Sequence, residues 1–182
     1  MAAESHAREP RLEPGLEPRV EPWMSGTLSD LQPVMAAVLY SFQHARADLE
    51  AWTKDLTTED LSRSLLGLAP VCFHIRHICG SIDRLLTYAR GEQLSAAQLS
   101  ELRDEAGTGM SRDALLKALD DEFERAGATV RGLDPASLGD TRDIGRKRIP
   151  VPLATLLVHI AEHTQRHVGE AIVTAKAVLH AR

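Results

Sequence analysis

Pro152-Leu-Ala-Thr-Leu-Leu-Val-His159-Ile-Ala-Glu-His163-Thr-Gln-Arg-His167-Val-Gly-Glu-Ala-Ile-Val-Thr-Ala-Lys-Ala-Val-Leu179 is the stretch that decides the fold. Leu153, Leu157, Ile160, Ala171 and Val178 recur at the helical period and define one apolar stripe on a single long helix. Three further stripes precede it. Leu31, Val34, Val38, Ala45, Leu49 and Trp52 predict a helix over residues 30–53, with Pro33 tolerated in its first turn. Pro70 opens and Gly91 closes a helix over 70–90 that carries Val71, Ile75, Ile78, Ile82, Leu85 and Leu86. Ser111 caps a helix over 111–131, with Leu115, Leu119, Phe123, Ala126 and Val130 inward. Four long amphipathic helices predict an all-α fold, a four-helix bundle. An aromatic content of 4% also suits helices better than sheets.

The links are short-range structure. Thr57-Thr58-Glu59-Asp60 reads as a capped helical turn, and Ser95 caps a short helix ending near Asp104. Gly107-Thr108-Gly109 breaks the chain. Asp134-Pro135 starts one more turn, and residues 139–150 read as a loop with a short extended piece at Arg148-Ile149-Pro150-Val151. No strand pair is expected. Ahead of the bundle, Glu-Pro recurs at Glu9-Pro10, Glu13-Pro14, Glu17-Pro18 and Glu21-Pro22. Proline every fourth residue removes amide donors, so residues 1–26 read as an extended arm and residues 27–182 as the bundle. Leu12, Leu16 and Val20 recur every fourth residue, which rotates steadily around a three-residue helix and makes no continuous face. Only Trp23 and its neighbours are expected to pack on the bundle.

Composition narrows the function. At 182 residues with 43% apolar content, the chain builds one real core. A net charge of −5 disfavours nucleic acid and anionic membranes as partners. The apolar runs are too short to span a bilayer, and no secretory signal is visible, so the expectation is a cytoplasmic protein. Cys72 and Cys79 would sit ~10 Å apart along one helix, too far to bridge, and read as buried small hydrophobes.

Five of the eight histidines fall in two windows, Phe73-His74-Ile75-Arg76-His77 and His159 to His167. At ~100° per residue, His167 lies ~40°, His163 ~80° and His159 ~120° from the centre of the last stripe. His163 and His167 therefore face the interior together, one turn apart, while His159 points to a seam or the surface. Either His74 or His77 would complete three nitrogen ligands, and spacing alone does not choose between them. Three protein ligands leave positions open, the mark of a reactive rather than a structural metal site. There is no phosphate loop, nucleophile elbow, Cys-x-x-Cys or His-Glu-x-x-His.

The two windows resemble the DinB/YfiT-like superfamily of metalloenzymes. Phe73-His74-Ile75-Arg76-His77-Ile78-Cys79-Gly80-Ser81-Ile82-Asp83 is similar to its second-helix pattern, and His163-Thr-Gln-Arg-His167-Val-Gly169-Glu170 to its His-x-x-x-His-x-Gly-Gln signature. The resemblance covers roughly residues 27–180. It implies a bundle with up-down-down-up connectivity, frequent homodimers, and His77, His163 and His167 as metal ligands. Glu170 departs from the family's Gln. The resemblance further implies an enzyme with a divalent ion (zinc, nickel or iron) that activates water or a thiol cosubstrate, as a hydrolase or a thiol-dependent transferase or isomerase. Its substrate would be a small molecule, with a low-molecular-weight thiol as the cosubstrate. Glu170, Tyr88 and Asp83 are the candidate acid–base or orienting groups. Arg76 and Arg166 read as surface charges, with capture of a substrate carboxylate as the alternative. The competing reading is a non-catalytic helical module for metal binding or dimerisation.

Overall fold

Each of the four stripes folds as a helix within three residues of its expected ends. The computed structural model describes residues 20–107 and 109–182. Its elements are a 3-10 turn Pro22–Met24, α1 Pro33–Thr53, α2 Thr58–Leu61, α3 Val71–Ala89, α4 Ala96–Asp104 and α5 Arg112–Gly132. A second 3-10 turn Pro135–Gly139, strands β1 Thr141–Ile144 and β2 Ile149–Pro152, and α6 Leu153–His180 complete the chain. The caps are side-chain driven. Ser111 accepts from the Ala114 amide, while Thr57 with Asp60 and Ser95 with Gln98 close full capping boxes.

Helix α1 packs on α6 and α5, and α3 packs on the same two. Specific contacts give the directions. Gln165 donates to the Ser41 carbonyl, and Lys176 Nζ lies 4.2 Å from the centre of the Trp52 ring, so α1 and α6 run parallel. Thr174 donates to the Ala69 carbonyl while His77 meets His163, so α3 and α6 are antiparallel. Arg46 pairs with Asp120 and Arg112 donates to the Glu50 carbonyl, so α1 and α5 are antiparallel. The bundle is thus up-down-down-up. The parallel pair α3 and α5 needs the long crossover at residues 90–111, which carries α4.

The predicted stripes form the core. Val38, Ala45, Leu49, Ile78, Leu119, Leu153, Leu157 and Val178 have no exposed surface. Phe42 and Phe123 stack at 4.7 Å across α1 and α5. Trp52 sits at the core's edge, 39% exposed, beneath Lys176. Cys72 is buried, and neither cysteine is paired. Burial pushes the Cys79 thiol up to about 12, which leaves it inert as a nucleophile.

Two expectations need correction or bounding. Residues 139–152 are not a plain loop: β1 and β2 pair antiparallel, with Arg142 opposite Val151 and Asp143 opposite Pro150. Four-residue strands are too short to show alternation, and Pro150 lowers strand propensity, yet a proline is tolerated because both strands are edges. At the near end, Leu12 and Leu16 of the arm lie outside the described residues. Val20 is exposed, and Trp23 lines shallow clefts with Ala37, Tyr40 and His44 while remaining 59% exposed.

Candidate metal centre

The antiparallel faces of α3 and α6 bring four histidines together. His74 and His77 lie one turn apart on α3, and His163 and His167 one turn apart on α6. Nε2 of His77 is 3.1 Å from Nε2 of His163. The His167 ring centre is 4.4 Å from that of His77 and 4.7 Å from that of His163. One nitrogen from each of His77, His163 and His167 lies within 4.8 Å of the other two. Two ligands bonded at about 2.1 Å to one ion stand roughly 3.0–3.4 Å apart for octahedral to tetrahedral angles. The 3.1 Å separation is that bite. Phe73 stacks on the His77 ring, with centres 5.5 Å apart, and restrains its plane.

His74 is also present, 3% exposed. Its Nδ1 is 3.1 Å from Nδ1 of His167, and both are 3.4 Å from Glu170 Oε2. A second potential ligand group, His74, His167 and Glu170, therefore shares His167 with the first. His77 alone faces both His163 and His167.

The histidines are poised as lone-pair donors. Burial, helped by His167 and His77, pushes His163 down to about 4. Burial also lowers His167, with His77 adding to the effect and Glu170 opposing it. It lowers His74 as well, again against Glu170. A metal requires neutral imidazole, so this environment favours the ligating form. Nδ1 of His163 is buried without a hydrogen-bond partner, which leaves that ring unsatisfied by protein alone. The set of three imidazole nitrogens, with Nε2 of His77 and Nε2 of His163 3.1 Å apart, fits a borderline-soft divalent ion.

Behind His77 stands a residue the sequence did not announce. Glu105 Oε2 lies 2.7 Å from His77 Nδ1, and Oε1 accepts from Arg84 at 2.5 Å. Both charged residues are nearly buried. Glu105 follows α4 in the crossover, 28 residues from His77. No local spacing could have linked them; only burial of a charged residue in the folded chain does. Arg76, expected on the surface, donates to the carbonyls of Glu105 and Gly107 and holds that crossover against α3.

The other candidates fall elsewhere. His159 is exposed and bonded to Glu162. Asp83 accepts from Gln98 at 2.6 Å and anchors α4. The structure does not bring Tyr88 to the cluster: eleven residues beyond His77 on one helix place it ~16 Å away along the axis. Arg166 pairs with Glu162, half exposed. Arg166, His74, Glu170 and Val173 line a cavity of about 500 Å³ between α6 and the Gly67–Ala69 segment. A larger cavity, about 880 Å³, lies between α1 and α5 and carries no histidine.

Among the described residues no helix is long and apolar enough to cross a membrane. Residues 41–171, well over half of the chain and including both histidine pairs, match the family model described as the DinB superfamily. No curated protein and no solved structure matches the chain.

Proposed function

The chain belongs to the DinB superfamily, and from the geometry of its histidines we propose that it is a metal-dependent enzyme in which His77, His163 and His167 hold one divalent ion. The supporting observation is the convergence of three imidazole nitrogens from two antiparallel helices within 4.8 Å of one another. Imidazole ligands suit zinc, nickel or iron. When bound, such an ion supplies Lewis acidity toward a water or a thiol cosubstrate at its open positions. The chain's own residues do the rest. Glu105 orients His77 from behind. Glu170, half exposed on the cavity wall and 3.4 Å from two imidazoles, is the group placed to take a proton from the incoming nucleophile. Tyr88 has no part, because it lies at the far end of α3. The small-molecule substrate enters through the 500 Å³ cavity, where Arg166 offers a cation to an anionic group.

The test is metal content after purification without a histidine tag. Close to one equivalent per chain is expected for the wild type and for His159→Ala, and none for His163→Ala. His77→Ala should lose the ion and His74→Ala should keep it. Equal metal in His163→Ala and His159→Ala refutes the ligand assignment, and no metal in any of them favours the non-catalytic helical module.

A further inference from the structure

A carboxylate rarely sits in a helical core without a specific task, and Glu105 is 6% exposed. Its two oxygens are divided between two partners. Oε1 accepts from Arg84, and Oε2 faces His77 Nδ1. A carboxylate paired with a guanidinium can only accept, so His77 must carry its proton on Nδ1. That leaves Nε2 as the lone-pair atom, and Nε2 is the atom that faces His163.

The surrounding backbone is built around this pair. Gly80 lies one turn after Arg76 and one turn before Arg84 on the same side of α3. A Cβ at Gly80 would overlap Glu105 Oε1 and lie 2.7 Å from an Arg84 nitrogen. A Cβ at Gly107 would meet an Arg76 nitrogen at 2.6 Å. Arg76, Gly80 and Arg84 thus form a seat on α3 into which residues 105–107 fit.

We propose that Glu105 is a positioning residue that fixes the tautomer and orientation of His77, and that through it docking of the 104–107 crossover and metal binding are coupled. This inference rests on the metal reading of the His77 cluster. An acceptor on the far nitrogen of a ligating imidazole typically changes metal affinity about 10–100-fold. Coupling is reciprocal, so the ion must hold the crossover against α3 by the same factor that the docked crossover adds to metal affinity.

Three full-length variants test it. In Glu105→Gln the amide oxygen satisfies Arg84 and the NH2 group turns toward His77, which moves the imidazole proton to Nε2. In Glu105→Asp the carboxylate is retained and partial rescue is expected. Gly80→Ala is a control of opposite sign. Alanine favours a helix over glycine, so it tends to strengthen α3, while its Cβ pushes Glu105 away. Zinc titration of the chelator-stripped protein should show affinity falling about 10–100-fold in Glu105→Gln and Gly80→Ala, and by less in Glu105→Asp. Nitrogen-15 shifts of His77 in the metal-free protein should report an Nδ1–H tautomer in the wild type and its loss in Glu105→Gln. Zinc should slow amide exchange at residues 104–107 in the wild type and not in Glu105→Gln. Zinc affinity of folded Glu105→Gln and Gly80→Ala within twofold of the wild type overturns the proposal. So does an Nε2–H tautomer of His77 in the wild type. Failure of the wild type to bind zinc would overturn the metal reading and the coupling, while the tautomer still decides whether Glu105 orients His77.

Discussion

Glu122→Gln should stabilise the protein at pH 8 and do little at pH 5. Glu122 lies on α5, 4% exposed, facing Cys79 and Asp83 of α3, with Arg125 bonded to it at 2.6 Å. Burial pushes its carboxyl up to about 7, with Asp83 and Glu101 adding to the rise and Arg125 pulling it down. The native state therefore binds a proton that the unfolded chain has already released from about pH 4.5 upward. Stability from this group is complete below the unfolded value and falls as pH rises through about 7. Holding the ionised form costs under about 1 kcal/mol at pH 5 and on the order of 3 kcal/mol at pH 8. Glutamine keeps the shape and removes the titration. The pull of Arg125, 67% exposed, is already contained in that value, and burying the glutamine NH2 group subtracts about 1 kcal/mol. A net gain of about 2 kcal/mol at pH 8 corresponds to a Tm rise of roughly 4–8 °C in a chain of this size. Thermal melts of both proteins at pH 5 and pH 8, with chelator present, measure the difference, and titrations common to both cancel. A mutant less stable than the wild type at pH 8, or the same difference at both pH values, would refute the reasoning.

Asp60 caps α2 and also pairs with Arg182 at the other end of the chain. The Arg182 and Thr57 hydrogen bonds hold its carboxyl down at about 2, so its contribution is present above the ordinary aspartate range and fades as pH falls toward 2. Asp60→Ala should cost about 1 kcal/mol at pH 7 in urea unfolding, and much less at pH 2.5. Deleting residues 1–20 should leave the thermal midpoint nearly unchanged, since Val20 is exposed and Trp23 remains in place. A fall of several degrees would make the arm part of the fold. His163→Ala should strip the bound metal and His159→Ala should not, as measured by elemental analysis.

Much of this molecule is legible in one dimension because helices turn spacing into direction. The stripe through Leu153, Leu157 and Ile160 placed His167 and His163 inward and His159 outward, and in the fold the first two line the cluster while His159 is solvent-facing. Caps are local as well, so Thr57 with Asp60 and Ser95 with Gln98 mark their helices by themselves. The choice between His74 and His77 is different. The two residues lie on neighbouring flanks of α3, and which one meets His163 depends on how α3 is rotated against α6. That rotation is set by the packing of two stripes, not by either one alone. Even in the fold His167 touches both, and of the two His77 is the one that also contacts His163.

Glu105 marks where sequence reading stops. In the linear chain it is one acid among 26, beside a glycine-rich break. Nothing nearby is periodic, because residues 105–107 do not belong to a helix. Their position is fixed by the up-down-down-up topology, which forces a crossover between two parallel helices and lays it along the outside of α3. Arg76 and Arg84 then have carbonyls and a carboxylate to meet, and Gly80 gives the space. Each of these residues looks ordinary by itself: two surface arginines, a helix-weakening glycine and a solvated glutamate. Their departures from the expected costs point the same way, since a glycine inside α3 and a buried ion pair both work against stability unless they serve one contact. That contact is His77 Nδ1, so the connection that makes the bundle topologically possible also reaches the histidine that spacing could not choose.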